Sequence, residues 1–222
     1  MSEVPVITID GPTASGKGTI AQRVADALRF NYLDSGALYR LVAWRALQDA
    51  VSADDADRLS AVAAAVAPRF AGGRISMDGQ DVTAAIRTEE ISQFASRIAG
   101  FSGVRNALLG LQRSQRRPPG LVADGRDMGT VIFPDAQIKI FLTASAETRA
   151  NRRYKQLKDK GESVNLSRLF REVEARDLRD SSREVAPLKP AGDAIILDST
   201  DLNIDEVVQS VFELIEKSGL TD

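Results

Sequence analysis

The 222-residue chain contains no histidine and no cysteine. Without cysteine it can form no disulfide, no thiolate nucleophile and no cysteine-based zinc site, and nothing in it demands an oxidising compartment. Without histidine it has no Ser-His-Asp hydrolytic triad, no imidazole general base and no access to the commonest transition-metal ligand. Its chemistry is left to Lys, Arg, Asp and a hard cation. That inventory suits phosphoryl transfer, where catalysis is mainly positioning and charge neutralisation. No apolar run approaches the roughly 18 residues of a membrane span. Met1 to Val4 lead into a strand with no signal-peptide pattern, so the expected setting is cytoplasmic. A net charge of -2 argues against a surface built for long nucleic acids, and any anion site must be local. With 43% apolar residues, the chain can bury one good core and a small accessory lobe.

Short β-branched runs at Val4 to Ile9, Gly120 to Asp124, Ile138 to Leu142 and Ala194 to Leu197 alternate with helical stretches. This predicts an α/β fold with a parallel sheet covered by helices, and Tyr32 to Asp34 can supply a fifth strand. A last helix is announced by Asn203 as cap, Glu206 three residues on, and Ile204, Val207, Val208, Val211 and Ile215 on one face. The region from about Asp54 to Gly100 breaks the alternation. There an Ala-rich helix leads into a small β-hairpin lobe at Arg69 to Val82, with turn signals at Gly72-Gly73 and Asp78-Gly79. The polar stretch from Lys155 to Asn165 reads as a mobile connection and a candidate lid.

Gly11, Pro12, Thr13, Ala14, Ser15, Gly16, Lys17, Gly18 and Thr19 follow the first strand and open the first helix. This is the P-loop pattern: backbone N–H groups and the helix N-terminus converge on phosphate oxygens, and Lys17 bridges the β- and γ-phosphates of a nucleoside triphosphate. The strict motif has Ser or Thr at the position of Gly18, so the hydroxyl moves to Thr19, with any metal contact there made through water. Asp124, ending an apolar strand, is the candidate carboxylate for Mg²⁺; a strand-end aspartate capping a turn is the competing account. Arg149, Arg152 and Arg153 lie within one helical turn and can embrace a transferring phosphate, or form a solvated face paired with Glu147. Arg176, Arg179, Asp180 and Arg183 suit intrahelical pairing equally well when read alone, and a phosphate cradle when read beside a P-loop.

Further motifs occur at Leu33-Asp-Ser-Gly-Ala-Leu-Tyr-Arg40, Asp124-Gly-Arg-Asp-Met-Gly-Thr130 and Glu174-Ala-Arg-Asp-Leu-Arg-Asp-Ser-Ser-Arg183. Together with the P-loop they make the chain resemble the bacterial cytidylate kinases, of the nucleoside monophosphate kinase family of P-loop proteins. The likeness runs from about Val4 to the last helix. It implies a five-stranded parallel core sheet built from residues 1–40, 105–153 and 167–222. It also implies a monophosphate-binding lobe at 41–104 with a small β insert near 69–82, and a short lid at 154–166. The implied substrates are Mg²⁺-ATP and CMP or dCMP, with no nucleic-acid or membrane partner and a monomeric state. By position, the resemblance assigns Ser96, Arg105 and Asp127 to the cytosine, and Arg40 and Arg126 to the acceptor phosphate. It assigns Arg176, Asp180 and Arg183 to sugar and phosphates, and Asp34, Ser35 and Tyr39 to the acceptor pocket. Lys17, Arg126, Arg152, Arg153, Arg176 and Arg183 would surround the transferring group. Ser102-Gly103 replace a Pro-Arg pair found in some members, which removes one flanking charge. A kinase for another small acceptor shares the P-loop without needing Ser96, Arg105 and Asp127 together. A GTP switch or macromolecular ATPase would need switch segments, and no Asn-Lys-x-Asp guanine-reading segment occurs.

Overall fold

The computed structural model describes residues 4–159 and 161–220. Residues 1–3, 160 and 221–222, which fall within the expected core segments 1–40 and 167–222 and the expected lid 154–166, lie outside the described residues. Along the chain the strands are β1 (Val6–Asp10), β2 (Asn31–Asp34), β3 (Arg69–Ala71), β4 (Arg74–Met77), β5 (Gln80–Asp81), β6 (Leu121–Gly125), β7 (Ile138–Thr143) and β8 (Ile195–Asp198). The helices are α1 (Lys17–Leu28), α2 (Ser35–Gln48), α3 (Ala56–Ala65), α4 (Glu89–Ile98), α5 (Ser102–Arg113), α6 (Ala146–Asp159), α7 (Leu166–Ser181) and α8 (Ile204–Ser218). Two compact units result, Met1–Leu33 with Gln115–Asp222, and Asp34–Ser114.

The first unit holds a five-stranded sheet in the order β2-β6-β1-β7-β8, with β1 parallel to β6 and β7, and β7 parallel to β8. All five residues of β1 are buried, as a central parallel strand requires. Side chains alternate across it. Ile7 and Ile9 join Val122, Ile138, Ile140 and Leu142 in a core against α1 and α8, which contribute Ile20, Val24, Val207, Val211 and Ile215. Thr8 and Asp10 therefore face the other way. Helix α8 starts with the expected capping box: Asn203 Oδ1 accepts from the Glu206 N–H at 3.0 Å, and Glu206 accepts from the Asn203 N–H at 2.8 Å.

In the second unit α3 packs on α5 and α2 on α4. The segment expected as a hairpin is a three-stranded antiparallel sheet, β3-β4-β5, because both turn signals form turns and the chain folds back twice. A Cβ at Gly103 would stand 2.2 Å from Ser60 Oγ, so α5 approaches α3 closely enough that a side chain there would have to turn the Ser60 hydroxyl away. In the connection expected as a lid, helix α6 continues through Asp159, and α7 begins at Leu166. Good helix formers such as Lys155, Gln156, Leu157 and Lys158 sustain the helix beyond the polar composition that reads as loop. Among the described residues no helix is long and apolar enough to cross a membrane.

Candidate active site

The P-loop leaves β1 at Gly11, whose φ of 156° and packing admit only glycine: an added Cβ would fall 2.0 Å from the Leu142 carbonyl oxygen. Gly16, at φ 91°, turns the chain into α1. Lys17 is buried and its Nζ donates to the Pro12 carbonyl at 3.1 Å, so the ammonium lies over the loop's own backbone. Ser15 Oγ is buried and has no hydrogen-bond partner. It is a polar atom oriented for something other than protein.

The arginines of α6 grip this loop from its carbonyl side. Arg149 donates to the Thr13 carbonyl at 3.2 Å and to the Ala144 carbonyl at 2.9 Å, and closes a two-pronged ion pair with Asp177 of α7 at 3.0 and 2.5 Å. Its partner is Asp177 rather than the neighbouring Glu147. Arg152 donates to the Ser15 carbonyl at 3.2 Å, and to Ser199 and the Leu202 carbonyl. Burial pulls the Arg152 pKa below its usual value, partly offset by Asp198. Arg153 donates to Gln156 at 2.8 Å.

Asp124 ends β6, is buried, and accepts from the Tyr32 hydroxyl at 2.8 Å. A Cβ at Gly18 would lie 3.1 Å from Asp124 Oδ2 and 3.6 Å from the Tyr32 hydroxyl. The side-chain space that Ser or Thr would fill in the strict motif thus opens onto a buried carboxylate oxygen. Among the described residues no three carboxylates gather into a metal cluster. A hard divalent cation fits one carboxylate in such a cradle when phosphates and water complete its shell. Thr19 lies one residue further along α1 and is exposed.

Beyond β6 the chain turns through Arg126 and Asp127 into a π-helical turn, Met128–Ile132. Arg126 Nε donates to Asp180 Oδ2 at 3.0 Å. Asp180 is 1% exposed and also pairs with Arg183, with Arg176 Nε 4.0 Å away. Burial pushes the Asp180 carboxyl up, but Arg126, Arg183 and Arg176 outweigh it and hold it below the usual carboxylate range. Three guanidinium groups are therefore assembled around one buried anion. Asp127 is 3% exposed, with φ -148° and ψ 22°. Asp10 is buried too, its carboxylate accepting from the Met128 N–H at 2.9 Å and the Gly129 N–H at 2.8 Å. Burial pushes Asp10 up to about 7, the Gly129 and Met128 N–H groups pull it back, and nearby Asp127 raises it further.

In the second unit, Asp34 caps α2 by accepting from the Ala37 N–H at 2.9 Å, and its other oxygen takes Arg40 Nη2 at 2.6 Å. Ser35 and Tyr39 are buried on the same helix. Arg105 is buried, stands 5.9 Å over the Tyr39 ring and donates to the Ala99 carbonyl at 3.2 Å. That grip holds a guanidinium in a fixed orientation. Ser96 is buried on α4.

A family model described as cytidylate kinase matches residues 7–217. The chain belongs to the cytidylate kinase family. It is 58% identical over 209 residues to a protein named cytidylate kinase from Bordetella bronchiseptica, covering 94% of each chain. It is 52% identical over 222 residues to one of the same name from Pseudomonas aeruginosa, covering 97% of each. Among solved structures, an uncharacterized protein from Eubacterium ventriosum aligns with a TM-score of 0.54 at 13% identity, over 96% of this chain and 98% of that one. This last likeness concerns the fold alone. Membership of the cytidylate kinase family carries nucleotide-dependent phosphotransfer with it.

Sequence reading passed over Asp10 and Tyr32. Asp10 was legible as a carboxylate ending a largely apolar strand; Tyr32 gave no signal, because its hydroxyl meets Asp124 only when β2 and β6 come together.

Proposed function

We infer that this protein transfers the γ-phosphoryl group of ATP to CMP or dCMP, giving ADP and CDP or dCDP, in pyrimidine nucleotide metabolism. The observation that carries this is family membership from residue 7 to 217, with relatives named for that activity at 52 to 58% identity. A cytoplasmic monomer acting on free nucleotides belongs to the same reading.

In this reading the loop from Gly11 to Thr19 wraps the triphosphate, with backbone N–H groups and Lys17 facing its oxygens. The buried, partnerless Ser15 hydroxyl supports that role. Arg149 and Arg152 hold the loop's carbonyls, keeping its N–H groups turned inward. Asp124, with Thr19 through water, would hold Mg²⁺, which would supply charge neutralisation on the phosphates. Arg126, Arg176 and Arg183, gathered at Asp180, offer guanidinium forks to phosphate oxygens, as do Arg40 and Arg153. The acceptor oxygen needs no general base, because a phosphate monoester has a second pKa of about 6 and is largely ionised at neutral pH. A chain without histidine can therefore run the reaction by aligning two anions among cations.

Asp127, Arg105 and Ser96 are proposed to read the base. A carboxylate accepts from the exocyclic amine of cytosine, while Arg105 donates to the ring nitrogen and carbonyl. Uracil would present an oxygen to Asp127. A site of buried polar partners rejects such a mismatch by up to ~10⁴-fold. Ser35, Asp34 and Tyr39 complete the acceptor residues, and Asp180 the sugar side.

The test is Mg²⁺-ATP turnover with CMP, dCMP, UMP, AMP and GMP as separate acceptors, for the wild type and Asp127→Ala. Diphosphate formation should favour the cytosine nucleotides and lose that preference in the variant. Turnover indifferent to the base in the wild type would sink the reading.

A further inference from the structure

Asp10 lies on the strand face opposite the core residues Ile7 and Ile9 and is 5% exposed. A buried carboxylate is costly, and one kept in place has work to do for the groups it meets. Both of its oxygens are used, Oδ1 by the Met128 N–H at 2.9 Å and Oδ2 by the Gly129 N–H at 2.8 Å. Two successive N–H groups converging on one anion form a nest, here filled by the protein itself. The nest opens the π-helical turn, whose other end is tied to Asp127: the Asp127 carbonyl accepts from the Val131 N–H at 2.9 Å and the Ile132 N–H at 3.2 Å. Gly129 presses against the sheet so closely that a Cβ would come within 2.9 Å of Thr8 Oγ1. The turn that sets the backbone of Asp127 is thus clamped to the strand end from which the P-loop departs.

We propose that Asp10 is a positioning residue for acceptor selection: it holds the turn at Met128 and Gly129 so that the adjacent Asp127 keeps one orientation toward the acceptor base. The proposal rests on the reading that Asp127 meets the pyrimidine. Removing the acceptor would leave two buried N–H groups unpaired and free the turn to move, loosening Asp127 without touching the substrate. Asn in place of Asp keeps the shape, but its NH₂ faces one of the two N–H groups, so half of the clamp is lost.

The experiment compares wild type, Asp10→Asn, Asp10→Ala, Asp127→Ala and the double variant Asp10→Asn/Asp127→Ala at pH 8. It measures kcat and KM for CMP and UMP, KM for ATP, and CMP binding by calorimetry without ATP. Asp10→Asn should raise the CMP KM and weaken calorimetric binding, lowering the CMP-over-UMP preference about tenfold. The ATP KM should stay within about threefold. In the Asp127→Ala background, Asp10→Asn should change the preference less than twofold, since the residue through which it acts is gone. Should Asp127→Ala collapse the preference while Asp10→Asn leaves it intact, the proposal is overturned and the reading of Asp127 stands. An ATP KM shifted as much as that for CMP also overturns it, assigning Asp10 to the P-loop instead. If Asp127→Ala leaves the preference intact, the reading of Asp127 fails first and takes the proposal with it.

Discussion

Replacing Asp180 by Ala removes a carboxylate shared by Arg126, Arg176 and Arg183. Asp180 is 1% exposed, and the side chains of Arg126 and Arg183 are 18% and 7% exposed, so water cannot easily take its place. Breaking a buried ion pair by deleting one partner costs about 3 to 5 kcal/mol, because the remaining charge is left uncompensated. Mutual repulsion among the freed guanidinium groups places this case at the upper end of that range. At 2 to 4 °C per kcal/mol for a chain of this size, the thermal midpoint should fall by roughly 10 to 20 °C. The depressed pKa adds a pH signature. A carboxyl whose folded pKa lies below its unfolded value contributes stability above the unfolded value, and loses it as pH falls through the folded one. The gap between wild type and Asp180→Ala should therefore be full at pH 7 and shrink below about pH 4. Inorganic phosphate should also raise the midpoint of the variant more than that of the wild type, since an anion can occupy the vacated counter-charge position. Calorimetric or circular-dichroism melts at pH 3 to 8, with and without phosphate, measure all three. A variant melting within about 2 °C of wild type at pH 7 would refute the argument that the arginines depend on Asp180.

Asp10 titrates in the opposite sense. With its pKa pushed up from 3.8 to about 7, its stabilising contribution is present below about pH 4 and is lost as pH rises to 7. Relative to Asp10→Asn, the wild type should lose up to about 4 kcal/mol across that window, read from urea melts, and parallel curves would contradict the assignment. Arg149→Ala should cost about 3 kcal/mol, at the modest end of the same range because Asp177 keeps some water, and should raise the ATP KM as Thr13 loses its anchor. Arg149→Lys, which retains charge without the fork, should recover less than half of either effect, and full recovery would show that charge alone mattered.

Much of the core was legible because its signals are local. The β-branched runs marked four strands of the core sheet to within a residue or two, β1 most clearly because a strand buried along its whole length is largely apolar, and Tyr32 to Asp34 marked the fifth by its place before a helix. Asn203 and Glu206 announced α8 because a capping box closes within four residues. The P-loop could be read because its glycines answer to backbone geometry beside a strand and a helix. Where composition and propensity disagreed, as at Lys155 to Asp159, propensity prevailed and the helix ran on. The third strand of the small sheet, β5, has only two residues and is too short to show periodicity.

The sequence by itself thus determined the order of strands and helices, the phosphate loop and the inventory of charged groups available for chemistry. Tertiary structure decided which charges meet. Arg149 could pair with Glu147 nearby or with Asp177 on the next helix, and the packing of α6 on α7 selected Asp177. Asp180 gained Arg126 from 54 residues away, which turned an apparent intrahelical pattern into a buried anion among three cations. Asp10 found its N–H partners 118 and 119 residues along the chain. Backbone motifs form from contiguous residues, whereas the partner and protonation of a buried charge depend on what the fold brings within a few ångströms of it.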